Sequence, residues 1–208
     1  MTDCSIHNSN MDNNKSLNTY LTSAKMEQHV QETAAVQAQA QAPAVPIQAV
    51  HKLHDEWTMW AHLPHDTDWT VKSYKKILTF NNVETIIALC ETIPEKMVNN
   101  CMLFLMRKGI IPMWEDTKNK NGGCFSYKVS NKCVANVWKT LSYILVGESL
   151  TDDKKLRSLI NGITISPKKN FCIIKIWLAT CEYQNPTIIA EVNGGIMPQG
   201  CLFKKHLA

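Results

Sequence analysis

The sequence predicts an α+β fold, an antiparallel β-sheet backed by helices on one face with the other face left open. Three observations lead there. Six short β-like runs are interrupted by only three helical stretches, which favours strands pairing with their neighbours over a helix-linked parallel sheet. The helical stretches are amphipathic, so each has one side to bury. Residues 171–178 alternate, with Cys172, Ile174, Ile176 and Leu178 all apolar on one face. The opposite face carries Phe171, Ile173, Lys175 and Trp177, a surface suited to something flat and something negative.

Taken in order, residues 1–50 are polar and nearly free of aromatics, ending in the Ala/Gln/Pro run QETAAVQAQAQAPAVPIQAV. Such a stretch buries too little apolar surface to offset its ordering entropy, so a disordered low-complexity tail is expected there. Residues 51–208 are long enough for one domain with one core, and all six tryptophans fall within them. EWTMWAHL (56–63) opens the sheet. A helix over 83–93 follows from the spacing of Val83, Ile86, Ile87, Cys90 and Ile93, with Asn81 and Glu84 as a variant capping box. CMLFLMR (101–107) is the next strand. The loop PMWEDTKNKNGG (112–123) is expected to be mobile, with Gly122-Gly123 as its hinge. CFSYKV (124–129) resumes the sheet. A helix over about 132–146 stacks Val134, Val137, Trp138, Leu141, Ile144 and Leu145 on one stripe and ends at Gly147. A short helix over 152–160 stops at Asn161-Gly162. GITIS (162–166), FCIIKIWLA (171–179) and TIIAEV (187–192) complete the strands. Trp57, Trp60 and Trp138 are expected in the core.

Composition narrows the function. The net charge of +4 is mild, and only Arg107 and Arg157 among the 22 basic residues are arginine. This Lys-, Asn- and Ile-rich bias fits an A/T-rich genome, and the small positive balance admits nucleic-acid binding without establishing it. The eight cysteines show no C-x-x-C spacing and no paired histidines, so neither a metal nor a cofactor is expected. They read as reduced thiols that pack as small hydrophobes, as in the cytoplasm. The chain has no apolar stretch of roughly 18 residues and no secretory-type leader, so no membrane role is expected.

The pieces HKLHDEWTMW (51–60), DW (68–69), GIIPMWEDTKNKNGG (109–123), VW…LVGES (ending at Ser149) and IKIW (174–177) follow one another in a recognisable order. From His51 to about Leu202 the chain resembles the eukaryotic translation initiation factor 4E family, whose members bind the 7-methylguanosine cap of messenger RNA. The resemblance implies a curved antiparallel sheet of about six to eight strands, three helices on its convex back and an open concave face for the cap. It implies that Trp69 and Trp114 sandwich the methylated base, that Glu115 grips the guanine edge and that Trp177 meets the methyl group. Asp116 is expected to be a structural partner within the loop.

The residue types suit that ligand. N7-methylation gives guanine a delocalised positive charge, and an indole face is electron-rich. Stacking contributes about 1–3 kcal/mol per base, and a partly desolvated cation–π contact about 1–2 kcal/mol. A carboxylate accepts from both guanine N1–H and the N2 amine, whereas adenine would present an acceptor to it.

The chain also departs from the family pattern. Cys124 stands where an arginine is common, and Ile173 where a second basic residue is common. The phosphate-binding cations are therefore expected to be Lys168 and Lys175, with Lys169. On the dorsal surface, Val83 is retained, but Ile87 replaces a docking tryptophan, Lys139-Thr140 replaces a Leu-Glu pair and Lys52 replaces a proline. The expected partners are capped mRNA and an initiation-factor 4G-like scaffold or a repressor held by this divergent face, with the chain itself a monomer. Three other functions stand beside cap-dependent initiation: a cap-binding repressor, a protein-interaction domain without cap binding, and a cap hydrolase. The last lacks the carboxylate cluster that metal-assisted hydrolysis needs. The altered surface and the composition suggest a divergent lineage, such as a virus carrying its own factor.

Overall fold

A computed structural model describes residues 49–206. The tail expected over 1–50 thus lies outside the described residues, apart from Ala49 and Val50. Seven strands form one sheet: β1 (Lys52–His62), β2 (Tyr74–Asn82), β3 (Met102–Arg107), β4 (Gly123–Ser130), β5 (Ile160–Pro167), β6 (Phe171–Leu178) and β7 (Leu202–Lys205). Their order is β2-β1-β3-β5-β6-β4-β7, and every pairing is antiparallel. This is the expected curved, open sheet.

Four helices are present among the described residues, one more than expected: α1 (Val83–Thr92), α2 (Glu95–Asn100), α3 (Val134–Val146) and α4 (Lys154–Leu159). α2 is a turn and a half behind Pro94, too short to show a periodic pattern. α1 is capped by Asn82, whose Oδ1 accepts the Thr85 N–H at 2.8 Å, and not by Asn81. α3 buries Val134, Val137, Trp138, Leu141 and Leu145 and ends at Gly147 as its pattern required. The strand expected over 187–192 does not form. Asn185 and Pro186 start a short 3-10 turn there, and Ile189, Val192 and Ile196 plug the core from a loop.

The sheet has one packed face and one open face. Cys172, Ile174, Ile176 and Leu178 of β6 are each 0% exposed and lie on the packed side, where Trp57 and Trp138 are also buried. Burying side chains of this size is the main favourable term in the fold, about 1.5–3 kcal/mol for each large apolar residue. Residues paired across antiparallel strands project to the same side. The register therefore defines two rows across the open face. One runs Trp60, Phe104, Thr164, Lys175, Ser126, Leu202, and its neighbour runs Thr58, Met106, Gly162, Trp177, Cys124, Lys204. Phe104, Met106, Ile110 and Trp177 make a small apolar cluster there, with Trp60, Tyr74 and Met102 packed against it. Trp60 is thus half-buried on the open face and does not belong to the core under the helices. Gly162 keeps the row passable, because a Cβ would collide with the Leu105 carbonyl oxygen and with Met106.

Candidate nucleic-acid interface

Trp69 and Trp114 are the two most exposed aromatic side chains of the domain, at 55% and 45%, and both stand at the open face. Each is backed by a histidine. Trp69 stacks on His62 with ring centroids 4.2 Å apart and planes 6° from parallel. His62 donates from Nε2 to the Asp68 carbonyl oxygen at 2.9 Å and meets Tyr74 edge-on at 5.3 Å. Trp114 lies 6.1 Å from His206 and 11° from parallel, and His206 in turn meets Trp177 at 4.8 Å. Trp177 is 3% exposed, and its indole N–H donates to Thr164 Oγ1 at 2.8 Å, which fixes the ring in the floor of the site. Glu115 is exposed beside Trp114. The Tyr74 phenol is pushed up chiefly by burial and then by the Glu115 charge.

The Trp114 loop is not the mobile segment its polar sequence suggested. Asn119 is 0% exposed and acts as its hub. Its amide donates to the carbonyls of Ile111 at 3.0 Å and Met113 at 2.8 Å, and its Oδ1 accepts from Asn161 at 2.9 Å. His206 Nδ1 donates to its backbone oxygen at 2.8 Å. Asp116 accepts the N–H groups of Ile111 and Lys118, the structural role expected of it. Gly122 and Gly123 are not hinges either. A Cβ on Gly122 would overlap the Leu178 carbonyl, and one on Gly123 would lie 2.7 Å from the Lys204 carbonyl oxygen. Glycine is needed here because strands pass so close.

The expected cations divide. Lys175 is half-buried, with its Nζ 5.3 Å from the Trp114 ring centroid, within cation–π range. Burial holds its ammonium below the usual lysine range; neighbouring Cys124 opposes this, and the charges of Lys204 and Lys168 each add a smaller downward push. Lys168 and Lys169 are exposed on the β5–β6 hairpin, and only Lys168 is near enough to affect Lys175. Cys124 is 1% exposed, burial pushes its thiol up, and a cysteine supplies no cation at this position. His206 and Lys204 had no sequence signal. They follow a loop and lie on or just beyond a four-residue edge strand too short to show alternation.

On the dorsal side, Ile87 of α1 is 46% exposed, Lys139 and Thr140 of α3 are half-buried, and Lys139 is ion-paired with Glu91. Val83 is half-buried at the start of α1. Among the described residues, His54, Asp55 and Glu148 offer oxygen and nitrogen atoms within 4.8 Å of one another. Arg107 already supplies the cation there, pairing with Asp55 and donating to Glu148 at 3.1 Å and to the carbonyls of Ile160 and Arg157. No helix of the described residues is long and apolar enough to cross a membrane.

Residues 52–197 match the family model described as eukaryotic initiation factor 4E. The chain is 28% identical over 138 residues to an initiation factor 4E homolog of Acanthamoeba polyphaga mimivirus, covering 55% of this chain and half the length of that relative. It is 30% identical over 145 residues to initiation factor isoform 4E-2 of Oryza sativa subsp. japonica, covering 67% of this chain and 68% of the relative. Among solved structures, schistosome eIF4E complexed with m7GpppG and 4E-BP superposes with a TM-score of 0.58 at 26% identity, over 65% of this chain and 75% of that one. C. elegans eIF4E-3, solved with the 4E-binding protein Mextli and a cap analog, gives 0.58 at 23% identity over 64% and 76%, a likeness of fold. The two indoles on one open sheet face, the WED loop beside them and a family match over most of the domain agree: the chain belongs to the eukaryotic initiation factor 4E family.

Proposed function

We propose that residues 51–208 form a cap-binding domain that holds the 7-methylguanosine end of mRNA during translation initiation in the cytoplasm. The observation that carries this is the placement of Trp69, Trp114 and Glu115 together at one open face, above a row that carries Lys175. Trp69 and Trp114 bracket the cationic base, Glu115 accepts from guanine N1–H and N2–H, and Trp177 meets the methyl group. Lys168 and Lys175, with Lys169 at the margin, neutralise the phosphates. The Trp114 loop backbone is tied, so the indole reaches the base by turning about its own side-chain torsions. The role is binding, without chemistry on the ligand.

Titrating intrinsic tryptophan fluorescence with 7-methyl-GTP and with GTP tests the proposal. Stacking quenches the indoles, and the methylated nucleotide is expected to bind at least tenfold more tightly, since each of the two indole faces contributes a cation–π contact of about 1–2 kcal/mol. Equal affinity for the two would overturn it.

A second role is favoured by the dorsal face. Ile87 offers less contact area than an indole, Thr140 stands where an acidic residue is usual, and Lys139, in place of the leucine, is engaged with Glu91. A cap-binding repressor with its own partner fits that surface. Binding of a helical peptide from a 4E-binding protein or from an initiation scaffold, compared at equal concentrations, separates the two roles.

A further inference from the structure

Three lysines border the open face: Lys175 beside Trp114, Lys168 at the β5–β6 hairpin and Lys204 on the edge strand. Cys124 pairs with Trp177 on one side and with Lys204 on the other, so the three side chains form one row. Lys175 lies in the adjacent row, opposite Ser126. Lys175 and Lys204 flank β4 from the two neighbouring strands, two strand spacings or about 10 Å apart at the backbone. Long, flexible ammonium side chains on such a frame can converge on one ligand. They already act on each other, since Lys204 and Lys168 both disfavour the charged form of Lys175.

Among the described residues, none of Lys168, Lys175 and Lys204 has a carboxylate at ion-pairing distance. Like charges gathered without a counter-charge raise the energy of the unliganded protein, and an anion between them lowers it. A second polar group lies at the same place. His206 is 5% exposed, its Nδ1 is committed to Asn119, and its Nε2 has no partner. Trp114 and Trp177 both lie against that ring. The buried orphan nitrogen and the unpaired lysines mark the same end of the open face as a place for a polar ligand.

We infer that Lys204 is a phosphate ligand of the cap site, supplying from β7 a charge that the buried thiol of Cys124 does not supply from β4. This rests on the cap-binding role proposed above. The bridging triphosphate leaves the base between the indoles and runs over Cys124, between Lys175 and Lys204. Edge strand β7 is therefore part of the ligand site as well as the border of the sheet.

Full-length protein carrying Lys204→Ala, compared with wild type and with Lys204→Arg, tests this by titration with the dinucleotide cap m7GpppG and with the nucleoside 7-methylguanosine, each at low and high salt. Lys204→Ala is expected to weaken the dinucleotide cap about tenfold at low salt, with a smaller loss at high salt, and to leave the nucleoside unchanged. Lys204→Arg is expected to retain the affinity. Wild-type affinity and salt dependence in Lys204→Ala would overturn the inference, as would an equal loss for the nucleoside, which would assign Lys204 to the base pocket. If wild type fails to distinguish 7-methylguanosine from guanosine, the cap-binding role fails, and this inference with it. That result is separable, because it does not involve the variant.

Discussion

Two segments present an exposed indole to the open face, and they are held in opposite ways. The Trp69 segment is secured by short-range bonds. Asp66 accepts the Asp68 N–H, Asp68 accepts the N–H and hydroxyl of Thr70, and only His62 reaches in from a strand. The Trp114 segment is secured by long-range bonds through Asn119, which ties it to Asn161 at the start of β5 and to His206 beyond β7. Local turns reform after any disturbance, whereas a buried polar hub is lost with its partners. Similar exposure of the two rings therefore conceals unequal backbone freedom, and the Trp69 side is the one freer to shift.

The largest effect should come from cutting the hub. Asn119→Ala removes three buried side-chain hydrogen bonds and strands their partners, so it should cost about 3 kcal/mol of stability by chemical or thermal unfolding. Asp68→Ala, which removes exposed local bonds, should cost at most about 1 kcal/mol. Similar losses would break the contrast. Next come the rings themselves. Trp69→Ala and Trp114→Ala should each weaken 7-methyl-GTP by about 1–3 kcal/mol, roughly five- to 150-fold, with little change in melting because both rings are exposed. Unequal losses would show which ring carries more of the cation–π attraction.

The smallest effect is a pH dependence confined to the Trp114 side. Burial holds the His206 imidazole below the usual histidine range, with Lys175 acting the same way and the bond to Asn119 opposing. Its neutral form is favoured in the folded state, so the unfolded chain binds the proton first as pH falls below about 6.5. Stability should be level above that pH and should decline below it, and His206→Asn should remove that part of the decline. A melting profile that is the same in both proteins from pH 7.5 to 5.5 would remove His206 from the account.

Much of this was legible before any coordinates. The apolar alternation of β6 assigned its two faces correctly, and the stripe on α3 placed Trp138 against the sheet. Family motifs led to Trp69, Trp114 and Glu115, all three of which are exposed, and their role is the proposal above. What stayed hidden shares a physical cause. β2, with its half-exposed YKKILTFNN, and the four-residue β7 are edge strands, where one side lacks a partner and the period-two pattern fades. TIIAEV has β-forming residues, yet Pro186 removes a donor and Asn185 captures the Thr187 N–H instead. Asn119 looked like one more polar loop residue, because its bonding partners are distant in sequence. Gly122-Gly123 suggested a hinge for the same reason, since the crossing backbones that demand glycine are invisible locally.

The bond from His206 to Asn119 joins residues 87 positions apart. Polypeptides are made from the amino end, so on the ribosome the Trp114 segment leaves the tunnel long before the histidine that clasps it has been added. During that interval the nascent protein holds Trp69 and Trp114 but not the finished frame around them. On the proposed cap-binding role, the grip on a messenger end is complete only once His206 has been made.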